Sequence, residues 1–204
     1  MKMGNVAVLL SGRGSNFAAI VRASRSAGAN FTVRLAVSDR KDAPGLAKAR
    51  RLGIPAFHAD PKQFPDKAAY EEHVCALLAA EKTDLVCLAG YMRLVGPVLL
   101  SRFAGRILNI HPALLPSFPG LDAQGQALRH GVKVSGCTVH FVDAGTDTGP
   151  IIAQRAVAVH GDDSEETLSQ RILRQEHRLY PWVIAQFFAG RLQVRGRSVM
   201  ISEE

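Results

Sequence analysis

Short runs of apolar, β-favouring residues alternate with longer segments of helical periodicity over the first half of this chain. Such alternation is typical of a parallel sheet whose successive strands are joined by helices that cover its faces. We therefore expect an α/β fold with a mostly parallel sheet flanked by helices. The strands expected in this half are Val6–Leu10, Val33–Ser38, Ala56–His58, Leu85–Ala89 and Ile107–His111, and the expected helices are Asn16–Ala27, Gly45–Leu52, Lys67–Glu81 and Pro97–Phe103.

The pattern changes in the second half. Val134–Val142 and Ile151–Val159 are both apolar and rich in β-branched residues, but the loop 143–150 between them is too short for a helix. They are therefore expected to be antiparallel strands. The tail Leu192–Ile201 is expected to form a further strand pair around Gly196.

A long helix is expected between these strands and the tail. Asp163, with Glu166 three residues later, resembles an N-cap and its capping partner. The helix is expected to reach Tyr180 or beyond, and Pro181, which has no N–H to donate, is expected to end or kink it. No repeat or linker interrupts the pattern, so 1–204 is expected to be a single domain.

Composition limits the class of protein. The chain has 204 residues, of which 47% are hydrophobic, and this is enough to bury one core. No apolar run approaches the length of a membrane span, and Val6–Leu10 is too short for a signal peptide, so a cytoplasmic protein is expected. Cys75, Cys87 and Cys137 are odd in number and lie among apolar residues, which predicts buried reduced thiols rather than disulfides or a metal site.

The net charge of +7 raises the question of a nucleic-acid partner. The basic residues are scattered, however, and aromatic residues make up only 6% of the chain without any basic-aromatic stripe on which bases could stack. We therefore expect no nucleic acid and no membrane as partner. A basic surface without a role explains the charge, and a phosphate-bearing small-molecule substrate is equally compatible with it.

The segment Ser11-Gly-Arg-Gly-Ser-Asn16 lies between the first expected strand and the first helix. In Rossmann-like sheets, glycines at this position let backbone amides approach a phosphate, and the helix N-terminus favours its charge. Phe17 occupies the place of the third glycine of a dinucleotide fingerprint, so a monophosphate is the preferred ligand. Asp39 follows the second strand, where a ribose-binding acid could lie, and a nicotinamide cofactor therefore remains an alternative. A tight turn capped by Ser15 or Asn16 would explain the same residues.

Asn109, His111 and Asp147 are the residues expected to carry chemistry. Asn109 and His111 are two apart at a strand end and should share one face, and Asp147 follows in the turn before Gly149-Pro150. An amine that attacks an acyl carbon forms a tetrahedral oxyanion, which the Asn109 N–H and a protonated His111 can stabilise. Asp147 can hold the imidazole in its charged form or position a water that removes the proton. Each residue alone has a structural explanation as a loop cap or turn former, but the three together favour acyl transfer.

With these segments placed, the chain resembles the phosphoribosylglycinamide formyltransferases, the folate-dependent glycinamide ribonucleotide transformylases of purine (IMP) synthesis. The resemblance spans nearly the whole chain. It rests on Ser11-Gly-Arg-Gly-Ser-Asn16, Leu88-Ala-Gly-Tyr-Met-Arg93, Leu108-Asn-Ile-His-Pro-Ala-Leu-Leu-Pro-Ser-Phe-Pro-Gly120, Val139-His-Phe-Val142, Asp147-Thr-Gly-Pro150 and Gln175-Glu-His-Arg-Leu-Tyr-Pro181.

The resemblance implies a role for each matching position. It makes 10-formyltetrahydrofolate the cosubstrate, with no metal, and it assigns phosphate and ribonucleotide binding to the N-terminal half. The folate loop and the catalytic Asp147 fall in the C-terminal half. The implied residues are Asn109, His111 and Asp147 for catalysis, Gly14, Ser15, Asn16 and Glu176 for glycinamide ribonucleotide, and Lys67, Met92, Arg93, Leu94, Val95 and Asn109 for folate.

Two positions depart from the family pattern. Asp122 stands where a histidine is common. The turn Asp147-Thr148-Gly149-Pro150 has Thr148 where the frequent sequence Asp-Gly-Gly-Pro has its first glycine. Thr148 lacks the freedom of glycine at positive φ, so the catalytic turn is expected to differ slightly.

Three rival functions are left open by the sequence. A formyltetrahydrofolate hydrolase would carry an added N-terminal domain, and a methionyl-tRNA formyltransferase would carry a C-terminal RNA-binding domain. A non-catalytic phosphoribosyl-binding regulator would not need the Asn109, His111 and Asp147 set. Both a monomer and a homodimer are compatible with the sequence, the latter through an apolar patch on Pro97–Phe103.

Overall fold

The computed structural model describes residues 3–202. Contacts divide the chain into two compact units, one ending at Asn109 and the other beginning at Ile110. The first unit alternates strands and helices as expected. Its elements are β1 (Gly4–Leu10), α1 (Ser15–Ser24), β2 (Phe31–Ser38), α2 (Pro44–Arg51), β3 (Ala56–His58), a 3₁₀ turn (Pro61–Gln63), α3 (Lys67–Ala80), β4 (Leu85–Leu88), α4 (Pro97–Arg102) and β5 (Ile107–His111), whose last two residues belong to the second unit.

The strands of the first unit form a parallel sheet in the order β3-β2-β1-β4-β5. Every residue of β4 and all of Val6–Leu10 in β1 are buried, as expected for central parallel strands covered on both faces. The order reverses between β1 and β4. The loops that leave the carboxyl ends of these two strands therefore flank the crevice in which open α/β sheets bind ligands.

The helices of this unit follow their apolar stripes and caps. The Asp66 carboxylate accepts a hydrogen bond from the Ala69 N–H at 2.8 Å and begins α3, whose Tyr70, Val74 and Leu78 are buried at four-residue spacing. Leu99 in α4 and Phe103 directly after its last residue, also four apart, are both buried. The exposed apolar patch expected over Pro97–Phe103 is therefore reduced to its outer residues, because helical periodicity turns its largest side chains inward.

The second unit contains α5 (Ala123–Arg129), β6 (Val134–Phe141), β7 (Ile151–Ala158), α6 (Glu165–Phe188), β8 (Leu192–Arg195) and β9 (Ser198–Ile201). The pair β6–β7 is antiparallel, and β8–β9 is a hairpin around Gly196, which confirms both predictions. β9 also meets β7 in parallel at Ile151. The short α5 was not predicted, because a seven-residue helix with Gly125 in its first turn is too short to show a clear apolar periodicity.

The start of α6 differs from the prediction. Ser164, and not Asp163, is the N-cap, and its side chain forms a capping box with Thr167 rather than with Glu166. Asp163 instead receives two hydrogen bonds from Arg171, at 2.6 and 2.8 Å. A nearby guanidinium thus competes successfully for the carboxylate, because two parallel hydrogen bonds between opposite charges are stronger than one hydrogen bond from a backbone N–H.

Pro181 lies inside α6 and does not end it. Val183 and Ile184, which follow it in the helix, are fully buried. Their burial offsets the lost backbone hydrogen bond, which costs about 3 kcal/mol in a helix interior.

All three cysteines are buried free thiols, as predicted. Within residues 3–202 no cluster of His, Cys, Asp or Glu side chains has the arrangement of a metal site. The helices in this range are all too short or too polar to cross a membrane.

Candidate active site

The phosphate-loop candidate lies between β1 and α1. Gly14 is the residue before α1 and has φ 64°, a left-handed conformation that favours glycine. A Cβ at Gly14 would lie 2.8 Å from the Cα of Gly45, so space requires glycine as well. Ser15 and Asn16 form the first turn of α1, whose amides are not used by the hydrogen bonds of the helix itself and can bind an anion.

The start of α2 supports this loop. The Gly45 N–H donates to the Gly12 carbonyl at 3.0 Å, and Lys48 Nζ donates to the carbonyls of Arg13 and Gly14 at 3.0 and 3.3 Å. Lys48 thus binds two carbonyls of the loop and ties the loop to α2. Sequence reasoning did not identify Lys48, because its link to the loop spans 34 residues.

The predicted folate segment, Met92–Val95, follows β4 and has no regular secondary structure. Met92 and Leu94 are 63% and 64% exposed. Within residues 3–202 the amides of Arg93, Leu94 and Val95 find no hydrogen-bond acceptor. The segment therefore offers free backbone donors beside apolar surface, the combination needed for a flat heterocycle with polar edges.

Helix α3 fixes the far end of this segment. The buried Glu71 carboxylate accepts hydrogen bonds from the Gly96 N–H at 2.5 Å and the Leu99 N–H at 3.2 Å. Lys67, one turn earlier on α3, lies so close to Gly96 that a Cβ there would be 2.7 Å from Lys67 Cε. Lys67 therefore lies beside the predicted folate segment, and its side chain is exposed to solvent.

His111 is the last residue of β5 and is almost fully buried. Its Nε2 lies 2.7 Å from the Phe118 carbonyl oxygen, which can only accept, so Nε2 carries a proton. Its Nδ1 lies 3.3 Å from Asp147 Oδ2. Burial lowers the pKa of His111 below its ordinary value, and the Asp147 carboxylate and the Phe118 carbonyl oppose that effect only in part.

Asp147 occupies the turn that was predicted for it, in a left-handed conformation with φ 55°. The Gly120 N–H donates to its Oδ2 at 2.8 Å. Burial raises the pKa of Asp147, but hydrogen bonds from His140 and Gly120 and the charge interactions with the two histidines outweigh burial, so the pKa lies below its ordinary value. Asp147 is therefore ionised at neutral pH.

His140 is a site residue that sequence reasoning missed. It lies on β6, is 2% exposed, and its Nε2 is 3.5 Å from Asp147 Oδ1. Its Nδ1 lies 2.8 Å from the Phe141 carbonyl and donates to it, which orients the ring. Asp147 thus lies between two imidazoles, one on each oxygen. The sequence feature that could have identified His140 is its position as the one polar residue of Val139–Val142, just before the loop that carries Asp147.

The β6–β7 ladder changes register at this point. Val139 pairs with Ala153, whereas His140 pairs with Ile151, so β7 contributes one extra residue. Bulges of this kind redirect side chains and are common next to active sites. On β6, Thr138 Oγ1 donates to the Ala113 carbonyl and accepts from the Leu115 N–H, which fixes the loop that follows His111.

The remaining predicted residues are placed as follows. Asn109 lies two residues before His111 on β5 and is partly exposed. Glu176 is 6% exposed on α6. Burial, assisted by the Glu176 charge, raises the pKa of the Cys137 thiol to about 12, so this thiol lies near Glu176 and stays protonated.

The two departures from the family pattern are accommodated locally. Thr148 does not adopt positive φ, because the left-handed residue of the turn is Asp147, and Thr148 Oγ1 donates to Asp143 Oδ1 at 2.6 Å. Asp122 adopts φ 57° before α5 and pairs with Arg129 at 2.9 Å on the surface.

Comparison with known proteins supports the assignment of these residues to one family. The family model described as formyl transferase matches residues 4–184. Phosphoribosylglycinamide formyltransferase from Bacillus subtilis (strain 168) is 48% identical over 90% of this chain and 94% of its own length. The corresponding protein of Escherichia coli (strain K12) is 42% identical over 93% of this chain and 90% of its own length.

Solved structures agree with the sequence comparison. Glycinamide ribonucleotide transformylase 1 from Symbiobacterium toebii superposes with a TM-score of 0.97, at 53% identity, over 98% of this chain and 95% of that one. A formyltetrahydrofolate deformylase from Pseudomonas syringae pv. tomato superposes with a TM-score of 0.90 at 27% identity, and this chain covers 67% of it. The similarity to the transformylase is thus higher in sequence and more complete in length.

Proposed function

This chain belongs to the formyl transferase family, and we propose that it transfers a formyl group from 10-formyltetrahydrofolate to the amine of 5-phosphoribosylglycinamide. The products are formylglycinamide ribonucleotide and tetrahydrofolate. The chain is a phosphoribosylglycinamide formyltransferase of purine biosynthesis. The observation that supports this chemistry is the His111–Asp147 pair, in which a buried imidazole lies 3.3 Å from a partly buried carboxylate.

In this proposal the substrate amine attacks the formyl carbon directly. The new C–N bond produces a tetrahedral species with a negative oxygen, and the C–N10 bond to folate then breaks. One proton leaves the attacking nitrogen, and one reaches N10, so the two nitrogens exchange a formyl group for a proton. No covalent enzyme intermediate is needed, and no serine or cysteine takes part.

His111 is the proposed donor to the oxyanion. In the free enzyme its Nε2–H donates to the Phe118 carbonyl, and we propose that the formyl oxygen replaces this carbonyl as acceptor. The growing negative charge and the charge of Asp147 both favour the imidazolium. A ring that burial keeps neutral therefore becomes a stronger base as the reaction proceeds.

Asp147 and Asn109 complete the proposed catalytic set. Asp147 stays ionised and takes part in moving the amine proton, either through His111 Nδ1 or through a water that it holds. Asn109 supplies a second N–H to the oxyanion and a contact to folate. Strand alternation directs Asn109 to the same side of β5 as His111.

The proposed division of labour within the single formyltransferase domain follows the chain. The N-terminal half supplies the amides of Gly14, Ser15 and Asn16 for the substrate phosphate and the Met92–Val95 segment for folate, with Lys67 beside it. The C-terminal half supplies Asp147, the loop over the pterin and Glu176 for the ribose hydroxyls. The left-handed Gly14 at the start of α1 and the free amides of the irregular segment after β4 support these assignments.

Glu176→Ala should weaken binding of glycinamide ribonucleotide while leaving tetrahydrofolate affinity nearly unchanged. Two hydrogen bonds from ribose to a carboxylate would be lost, and each such charged bond contributes about 1.5–3 kcal/mol. Isothermal calorimetry with each ligand measures the effect. Glu166→Ala, which removes an exposed carboxylate from the same helix, is the control. Loss of folate affinity instead would assign Glu176 to the other ligand.

Leu94→Asp should weaken tetrahydrofolate binding without lowering the thermal stability of the protein. The side chain is exposed in the free enzyme, so the change costs no core packing, but a bound pterin ring would desolvate the new carboxylate. Calorimetry and thermal unfolding on the same samples separate the two effects. Arg93→Ala is the control and should be mild, since this segment is proposed to bind through its main chain. Unchanged folate affinity in Leu94→Asp would contradict the assignment.

The proposed function is tested by a formyl-transfer assay with 10-formyltetrahydrofolate and glycinamide ribonucleotide. Reactions without the ribonucleotide test the rival deformylase, which the structural similarity to the Pseudomonas enzyme makes the relevant second candidate. Transfer that depends on the ribonucleotide supports the proposal. Tetrahydrofolate release at equal rates with and without the ribonucleotide would favour hydrolysis. Transfer to methionyl-tRNA would favour a methionyl-tRNA formyltransferase.

A further inference from the structure

Ser11 connects the two substrate segments of the first unit. It is 3% exposed and follows β1, directly before the phosphate loop. Its backbone N–H donates to the Gly90 carbonyl at 2.9 Å, and its Oγ accepts from the Met92 N–H at 2.9 Å. Both partners belong to the loop after β4, on the other side of the point where the strand order reverses.

Asp39 sets the direction of the Ser11 hydroxyl. Ser11 Oγ lies 2.6 Å from Asp39 Oδ1, and since a carboxylate only accepts, the hydroxyl proton must point to Asp39. This leaves an oxygen lone pair for Met92, whose amide can only donate. The charge on Asp39 strengthens the whole chain of two hydrogen bonds. Asp39, a candidate ribose ligand in the sequence, is thus already engaged by Ser11.

We propose that Ser11, oriented by Asp39, is a positioning residue for the folate cosubstrate. The hydroxyl holds the Met92 amide and thereby aims the free amides of the next three residues at the position proposed for the pterin. The inference rests on the proposed role of Met92–Val95. Because the segment has no secondary structure of its own, it depends on such links at Met92 and, through Glu71, at Gly96.

The structure also explains why the effect should be selective for folate. The phosphate loop has its own supports in Gly45 and Lys48, which bind the carbonyls of residues 12–14 and do not involve the Ser11 hydroxyl. The backbone link from Ser11 N–H to Gly90 survives any side-chain change. Removing the hydroxyl should therefore loosen only the start of the folate segment.

Ser11→Ala should raise KM for 10-formyltetrahydrofolate about ten-fold, the effect expected when one hydrogen bond that orders the folate segment is lost. The kcat value and KM for glycinamide ribonucleotide should change less than about two-fold, because the catalytic set lies elsewhere. Ser24→Ala is the matched control, since the Ser24 hydroxyl only donates to the Val21 carbonyl of its own helix. Tetrahydrofolate titration by calorimetry should reproduce the KM shift as a loss of affinity.

Asp39 variants test the two linked hydrogen bonds that join Asp39, Ser11 and Met92. Asp39→Ala should raise the folate KM as Ser11→Ala does, whereas Asp39→Asn keeps an acceptor oxygen and should stay close to the parent. The double variant Ser11→Ala with Asp39→Ala should be no worse than the worse single variant, since both act through one hydrogen-bonded unit. Thermal unfolding of each variant identifies losses that are due to misfolding.

The outcomes separate this inference from the proposed function. A parent enzyme that fails to transfer formyl to glycinamide ribonucleotide would overturn the proposed function itself. An active parent together with a folded Ser11→Ala that keeps its folate KM would overturn only the role of Ser11. An equal rise in KM for both substrates would also overturn it, because Ser11 would then support the whole unit rather than position folate. If Ser11→Ala does not fold, a folded Asp39→Ala with an unchanged folate KM overturns the inference by itself.

Discussion

His111→Ala and Asp147→Asn should each lower kcat by about 10²–10³ while both substrates still bind, which is the usual loss when one oxyanion donor is removed. The reason is that neither side chain is proposed to hold the ground state. Asp147→Asn keeps the shape of the side chain and one acceptor oxygen but loses the charge that favours the His111 imidazolium. Steady-state kinetics gives kcat, and calorimetry with each ligand checks that binding is retained. The exposed Asp162→Asn is a control for loss of a carboxylate elsewhere in the same unit.

The double variant decides whether the two residues act together. The 3.3 Å separation of His111 Nδ1 and Asp147 Oδ2 places them in direct electrostatic contact. If they act on one intermediate as a pair, His111→Ala with Asp147→Asn should be little worse than the worse single variant. Multiplying losses would mean that Asp147 moves the proton independently of His111, and the shared mechanism would be abandoned.

The first unit was predictable from sequence to within a few residues because its strands are buried on both faces. Val6–Leu10 and Leu85–Leu88 are continuous apolar runs for that reason, and the turn residues between them mark the loops. The same logic located the loop between β1 and α1 and the exit of β5. Local patterns are sufficient wherever burial alone decides the conformation.

The parts that could not be predicted depend on contacts between residues distant in sequence. Lys48 reaches a loop 34 residues earlier, and Arg171 removes Asp163 from the expected cap. The local signal of His140, a polar ring in an apolar run, is shared by buried structural histidines, and the bulge in β7 and the fold of the turn bring it to Asp147. The positive φ lies at Asp147 and not at Thr148, and this depends on the conformation of the whole turn rather than on either residue type alone.

The same turn contains Gly149, whose lack of a side chain is required by the space around it. A Cβ at Gly149 would fall far inside contact distance of the Phe141 carbonyl oxygen, and the obstacle is backbone that cannot rotate away. That carbonyl also accepts the hydrogen bond from His140 Nδ1. The absence of a Cβ thus lets the chain leaving Asp147 pass close to the group that orients the second imidazole.

Gly149→Ala should therefore lower kcat by about 10², because displacing a catalytic group by about 1 Å has an effect of that size. It should also lower the free energy of unfolding by about 1–3 kcal/mol, the typical cost of overpacking. Gly161→Ala is the matched control, since a Cβ there meets nothing within 4 Å. Kinetics and urea unfolding on both variants measure the two effects. Were Gly149→Ala folded and fully active, the backbone around Phe141 would have to yield without moving Asp147, and the geometry of this turn could not be what sets the catalytic carboxylate in place.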